Sequence, residues 1–138
     1  MTIEIYTDGS SLGNPGPSGW GAIILEEDEY EISEIILSGN EKTSTNNRME
    51  LNAVIESIDF VTEKDIKIYS DSKYVINCAK GLWKIKKNID LWDIYKKVSK
   101  DKNIEYVWVK GHNGNKYNEI VDKIAKEEAN EIKCLKKI

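Results

Sequence analysis

The chain has 138 residues, 40% of them hydrophobic and 32% charged, with a formal net charge of −4. That length suits one domain with a buried core. No apolar run reaches the roughly 18–20 residues of a membrane helix, and an acidic balance taken alone argues against a polyanionic partner.

The first residues, Met1-Thr2-Ile3-Glu4-Ile5-Tyr6, go straight into alternating sequence without a basic or apolar leader, so no signal peptide is expected. Residues 3–8 predict a strand. Residues 9–19 are rich in Gly, Pro, Ser and Asn and predict a loop. A second strand is expected over 20–26, an exposed acidic turn at Glu26-Glu27-Asp28-Glu29, and a third strand over 30–39. From Thr45 the period changes: Leu51, Val54, Ile55 and Ile58 form the stripe of an amphipathic helix that ends near Val61. A strand over 65–70 and a helix over 72–80, stopped by Gly81, come next. The lysine-rich residues 83–88 lead to a helix over 91–99, a strand over 104–109, and a C-terminal helix marked by Ile120, Val121, Ile124, Ala125 and Ile132. Three strands followed by strand–helix alternation predict an α/β protein with a mixed sheet and helices packed on it. No linker or repeat interrupts the chain, so residues 1–138 are expected to form a single domain. Cys78 and Cys134 have no metal-binding or redox spacing and are expected to be thiols of a cytoplasmic protein.

Two strands end almost identically, Ile5-Tyr6-Thr7-Asp8 and Ile68-Tyr69-Ser70-Asp71. If they lie parallel and adjacent, both carboxylates emerge at the carboxyl edge of the sheet, where open α/β sheets place their chemistry. Taken singly, Asp8 reads as a turn residue and Asp71 as a helix cap. Glu50 in the early turns of the long helix, and Asp122 near the start of the last one, each have an ordinary surface reading too. His112, the chain's one histidine, lies in the Gly-flanked stretch Lys110-Gly111-His112-Asn113-Gly114. Together, four carboxylates on one sheet edge would repel one another unless neutralised. All-oxygen ligation favours Mg²⁺, with Mn²⁺ as a substitute. Two such ions about 3.5–4 Å apart are a known device for phosphodiester cleavage.

The ordered segments Tyr6-Thr7-Asp8-Gly9-Ser10, Gly13-Asn14-Pro15-Gly16-Pro17, Thr45-Asn46-Asn47-Arg48-Met49-Glu50-Leu51, Tyr69-Ser70-Asp71-Ser72, Asp90-Leu91-Trp92, Val107-Trp108-Val109-Lys110-Gly111-His112 and Asn118-Glu119 resemble the type 1 ribonucleases H over essentially the whole chain. The resemblance implies a ribonuclease H-like fold: a mixed five-stranded sheet, a three-strand meander then β–α alternation, with helices on both faces. It also implies hydrolysis of the RNA strand of RNA/DNA hybrids, leaving 5′-phosphate and 3′-hydroxyl ends. Asp8, Glu50, Asp71 and Asp122 match the metal-binding catalytic carboxylates, and His112 the loop histidine that assists proton transfer. By the same resemblance Asn14, Asn46 and Asn47 read the minor groove and Thr45 helps hold a DNA phosphate. An uncharged amide suits that role because it both donates to and accepts from a 2′-hydroxyl. Gly13, Gly16 and Gly19 are expected to bring the first loop's backbone close to a ligand.

The chain departs from other members in two places. A basic protrusion before Asp90-Leu91-Trp92 is reduced to residues 81–88, leaving Lys84, Lys86 and Lys87 beside Trp83, which is expected to line a DNA-strand channel or to pack at the core edge. Lys73 stands where other members often have Gln, which makes it a candidate phosphate contact. Arg48 is expected to pair near the acidic edge without a catalytic role. The expected protein is a freestanding monomer. A catalytically silent hybrid-binding module of the same fold, or a ribonuclease H domain cut from a reverse transcriptase, are the alternatives. The charge also divides by position: residues 1–72 carry net −11, residues 73–102 net +6 and residues 103–138 net +1. A basic segment beside the acidic edge can meet phosphates although the total is negative.

Overall fold

Alternating apolar residues build the first three strands, β1 (Ile3–Ser11), β2 (Gly16–Glu27) and β3 (Ile32–Ser44), in a computed structural model that describes residues 2–110 and 114–135. They are followed by α1 (Asn46–Phe60), β4 (Asp65–Ser70), α2 (Lys73–Ala79), α3 (Ile89–Ser99), β5 (Asn103–Trp108) and α4 (Lys116–Leu135). The five strands form one sheet in the order β3-β2-β1-β4-β5. The meander pairs are antiparallel, whereas β1–β4 and β4–β5 are parallel. The predicted mixed sheet is therefore present.

The two-residue period of the strands sends side chains to opposite faces. Ile3 and Ile5 of β1 and Ile66 and Ile68 of β4 pack with Leu51, Val54 and Ile58 of α1 and with Val75 and Trp92. On the other face Tyr6, Ile23 and Leu25 meet Val121, Tyr117 and Ile120 of α4. Helices thus cover both faces. Local chemistry sets the helix ends. Thr45 caps α1 by accepting from Arg48 N at 3.3 Å, and Ser72 caps α2 by accepting from Val75 N at 3.2 Å. Gly81, at φ +76°, follows α2 in the conformation that suits glycine after a helix.

The glycine-rich residues 9–19 differ from the expected loop. Gly9, Ser10 and Ser11 continue β1 and pair with Trp20, Gly19 and Ser18 of β2, so only a short connection is irregular. Close backbone approach accounts for the glycines. A Cβ on Gly19 would stand 2.4 Å from Ala125 O of α4, so its close approach is to that helix and not to a ligand. A Cβ on Gly16 would meet Leu12 O at 2.1 Å, inside the turn itself. The C-terminal helix also begins earlier than its apolar stripe suggested, at Lys116, which places Asp122 in its second turn. Among the described residues no helix is long and apolar enough to cross a membrane. Cys78 is buried and free.

Candidate active site

The parallel ladder between β1 and β4 ends at Tyr6 and Tyr69. Two residues further on, in the same register, come Asp8 and Asp71. β1 continues beside β2 alone, so the sheet edge opens there and both side chains face a cleft. Glu50 enters from the second turn of α1. It can do so because Gly9 has no side chain: a Cβ there would lie 2.4 Å from Glu50 N and 2.6 Å from Met49 C. Ligand oxygens of Asp8, Glu50 and Asp71 all lie within 4.8 Å of one another. Asp122 lines the same cleft from α4, where its Oδ2 accepts from Lys126 Nζ at 3.0 Å.

Burial dominates the electrostatics. Asp8 and Glu50 are only 3% and 6% exposed. Burial pushes the Asp8 carboxyl up to about 7, and the nearby Asp71 charge adds to the rise. Burial and the adjacent Asp8 charge push Glu50 well above the ordinary carboxylate range. Gly9 N donates to Asp8 Oδ1 at 2.8 Å, and Glu50 Oε2 has no partner among the described residues. A buried acceptor without a donor is costly in a native protein unless a ligand supplies the missing positive charge. The donor set is entirely carboxylate oxygen, which fits a hard divalent cation. Asp8, Glu50 and Asp71, with Asp122 beside them, are the residues that would hold it.

Asn46, Asn47 and Lys73 line the cleft with the carboxylates. Asn14 approaches from the first hairpin, and its Oδ1 accepts from Asn46 N at 3.1 Å, which leaves its amide N–H groups for a ligand. Thr45 uses its hydroxyl oxygen in the α1 cap and can still donate. Trp83, Lys84, Lys86 and Lys87 stand outside the cleft between α2 and α3, with Trp83 49% exposed and the three lysines exposed. His112 lies outside the described residues. Arg48 pairs as expected, reaching Asp90 through Nη1 at 3.0 Å and Nη2 at 2.8 Å.

Further residues reach the cleft or its rim. Ser10 and Tyr74 line it, the latter accepting from Asn88 Nδ2 and Trp92 Nε1 at 3.0 Å each and so linking the cleft to the start of α3. Lys126 lines it as well, at the i+4 spacing from Asp122 that was readable in the sequence. Trp108 touches it through Asp71, a contact with no local sequence signal because it crosses from β5.

Comparison with known proteins agrees with this arrangement. The family model described as RNase H matches residues 1–130. A protein named ribonuclease H from Helicobacter acinonychis (strain Sheeba) is 48% identical over 136 residues, covering 92% of each chain. The solved N-terminal RNase H domain from Mycobacterium tuberculosis superposes with a TM-score of 0.83 at 26% identity, covering 95% of each chain. LC11-RNase H1, solved in complex with an RNA/DNA hybrid, has a TM-score of 0.77 over 94% of this chain and 97% of its own; at 22% identity it shows a shared fold alone.

Proposed function

This chain belongs to the RNase H family of ribonucleases, and from that premise we propose that it hydrolyses the RNA strand of RNA/DNA hybrids with two divalent metal ions, leaving 5′-phosphate and 3′-hydroxyl ends. The observation that carries the reading is the convergence of three buried or half-buried carboxylates within 4.8 Å at the opened sheet edge. A surface that only bound a polyanion would gain nothing from that concentration of negative charge.

Asp8, Glu50, Asp71 and Asp122 would hold Mg²⁺, with Mn²⁺ as a substitute. When bound, such ions activate water and offset charge on the phosphate and leaving oxygen. The protein's own residues position the substrate around them. Asn14, Asn46 and Asn47 present amides toward the minor groove, where the 2′-hydroxyl distinguishes RNA from DNA. Thr45 donates to a DNA phosphate, and Trp83 with Lys84, Lys86 and Lys87 follows the backbone away from the cleft. His112 assists proton transfer. One water is consumed per cut: its oxygen bonds to phosphorus, the P–O3′ bond breaks, and the 3′ oxygen takes up a proton.

Residues 1–138 act as a single domain, which the single sheet covered on both faces supports. A monomer in the cytoplasm fits the buried free thiol of Cys78. The test is an end-labelled RNA/DNA hybrid incubated with and without Mg²⁺, beside duplex RNA and duplex DNA. Mg²⁺-dependent cutting confined to the hybrid's RNA strand is the expected result. Equal cutting of duplex RNA would refute the substrate assignment, and cutting in the presence of EDTA would refute the metal mechanism.

A further inference from the structure

Trp108, the last residue of β5, lies beside Ser70 in the parallel ladder, one residue from Asp71. Its indole makes two contacts that together reach the cleft. Nε1–H donates to the backbone carbonyl of Asp71 at 3.2 Å, and the ring face receives Lys73 Nζ at 5.0 Å from its centroid. The second distance is within the range at which an ammonium is attracted by an aromatic ring. Lys73 lines the cleft beside Asp71 yet makes no ion pair with an acidic side chain among the described residues. Its charge is therefore held in place without being neutralised.

We infer that Trp108 is a positioning residue that holds the Lys73 ammonium at the cleft rim as a contact for a backbone phosphate of the substrate strand, in fixed register with Asp71. This rests on the proposed action on RNA/DNA hybrids. A lysine side chain loses considerable rotamer freedom when it engages a ligand. A ring that restrains it beforehand lowers that cost, and the indole N–H ties the same ring to the backbone of a carboxylate residue. An ammonium has no acceptor, so it meets a phosphate as a point charge and reads no base. The pair thus sets the spacing between a bound phosphate and the carboxylate cluster without adding sequence preference.

The test measures hybrid binding over a series of salt concentrations in the Asp8→Asn background with Mg²⁺ present, so that the substrate stays intact. Lys73→Gln should weaken binding about five- to tenfold at ~0.1 M salt and reduce the slope of log K against log salt by roughly 0.7–0.9, the value of one phosphate contact. Trp108→Leu should reproduce much of that loss, and adding it to Lys73→Gln should cost little more. Trp108→Phe, which retains a ring but loses the N–H tether, should fall between the parent and Trp108→Leu. With Asp8 intact, Lys73→Gln should raise KM more than it lowers kcat. An unchanged salt slope in Lys73→Gln overturns the phosphate contact, and because Lys73 is exposed that variant is expected to fold. Strictly additive losses in the double variant overturn the positioning role. Failure of the parent to cut hybrids at all would instead overturn the functional reading beneath it.

Discussion

Gly9 of β1 is packed against Glu50 of α1 so closely that a Cβ on Gly9 would lie 2.4 Å from Glu50 N. Backbone, not a flexible side-chain tip, occupies that space, so Gly9→Ala must move the strand or the helix. We expect a stability loss of about 1–3 kcal/mol, typical of overpacking, and a fall in kcat larger than destabilisation at the assay temperature explains. Denaturant titration beside single-turnover cleavage checks this; a variant with parental kcat would show that Glu50 tolerates displacement.

The buried carboxylates make a prediction about pH. The folded-state value for Asp8 is raised from 3.8 to about 7, chiefly by burial. In the metal-free protein its stabilising share is complete below the unfolded value and is lost as pH rises through about 7. Asp8→Asn removes that dependence. In EDTA the variant should melt a few degrees above the parent at pH 8, with the gap closing toward pH 4. Adding Mg²⁺ at pH 8 should raise the parent's Tm and leave the variant nearly unmoved, since a ligand stabilises only the state that binds it. A parental Tm indifferent to Mg²⁺ at that pH would count against the ligand set.

Arg48 and Asp90 join the start of α1 to the start of α3 through two parallel hydrogen bonds. The Arg48 guanidinium holds the Asp90 carboxyl down at about 2, from an ordinary value of 3.8. The pair's contribution is thus present above pH 4 and lost as pH falls toward 2. Being exposed, it should add little to global stability. Its larger effect is to align the lysine segment with the asparagines of α1: Arg48→Ala should raise KM for the hybrid several-fold while shifting Tm only slightly. Urea melts at pH 6 and pH 2.5 should show the Asp90→Asn difference in full at the first and reduced at the second.

Lys84, Lys86 and Lys87 should supply much of the salt dependence of hybrid binding. Replacing all three with Gln should reduce the salt slope by about 0.9 for each phosphate no longer engaged, a total between one and three such steps. Affinity at low salt should fall by an order of magnitude or more. Cleavage chemistry at saturating hybrid should persist, because none of the three lines the carboxylate cleft. A salt dependence equal to the parent's would remove the segment from the interface.

Much of this protein was legible in the residues alone. Strand alternation and the helical stripe Leu51–Val54–Ile55–Ile58 are local properties, so the mixed sheet and the long helix could be read directly, whereas the cap of α2 is Ser72 and not Asp71. The matched endings at Asp8 and Asp71 likewise predicted adjacent carboxylates, because a parallel ladder preserves register. What only the tertiary structure decided depends on surfaces brought together from distant parts of the chain. Residues 9–19 look like loop sequence, yet Gly9 and Gly19 continue strands because α1 and α4 pack too close there for any side chain. Asp8 and Glu50 resist ionisation because the fold buries them side by side, which no single stretch of sequence specifies. Trp108 reaches Asp71 and Lys73 only because β5 pairs with β4. Local periodicity and propensity write themselves into short segments; burial, close backbone approach and cross-strand contact exist only once those segments meet.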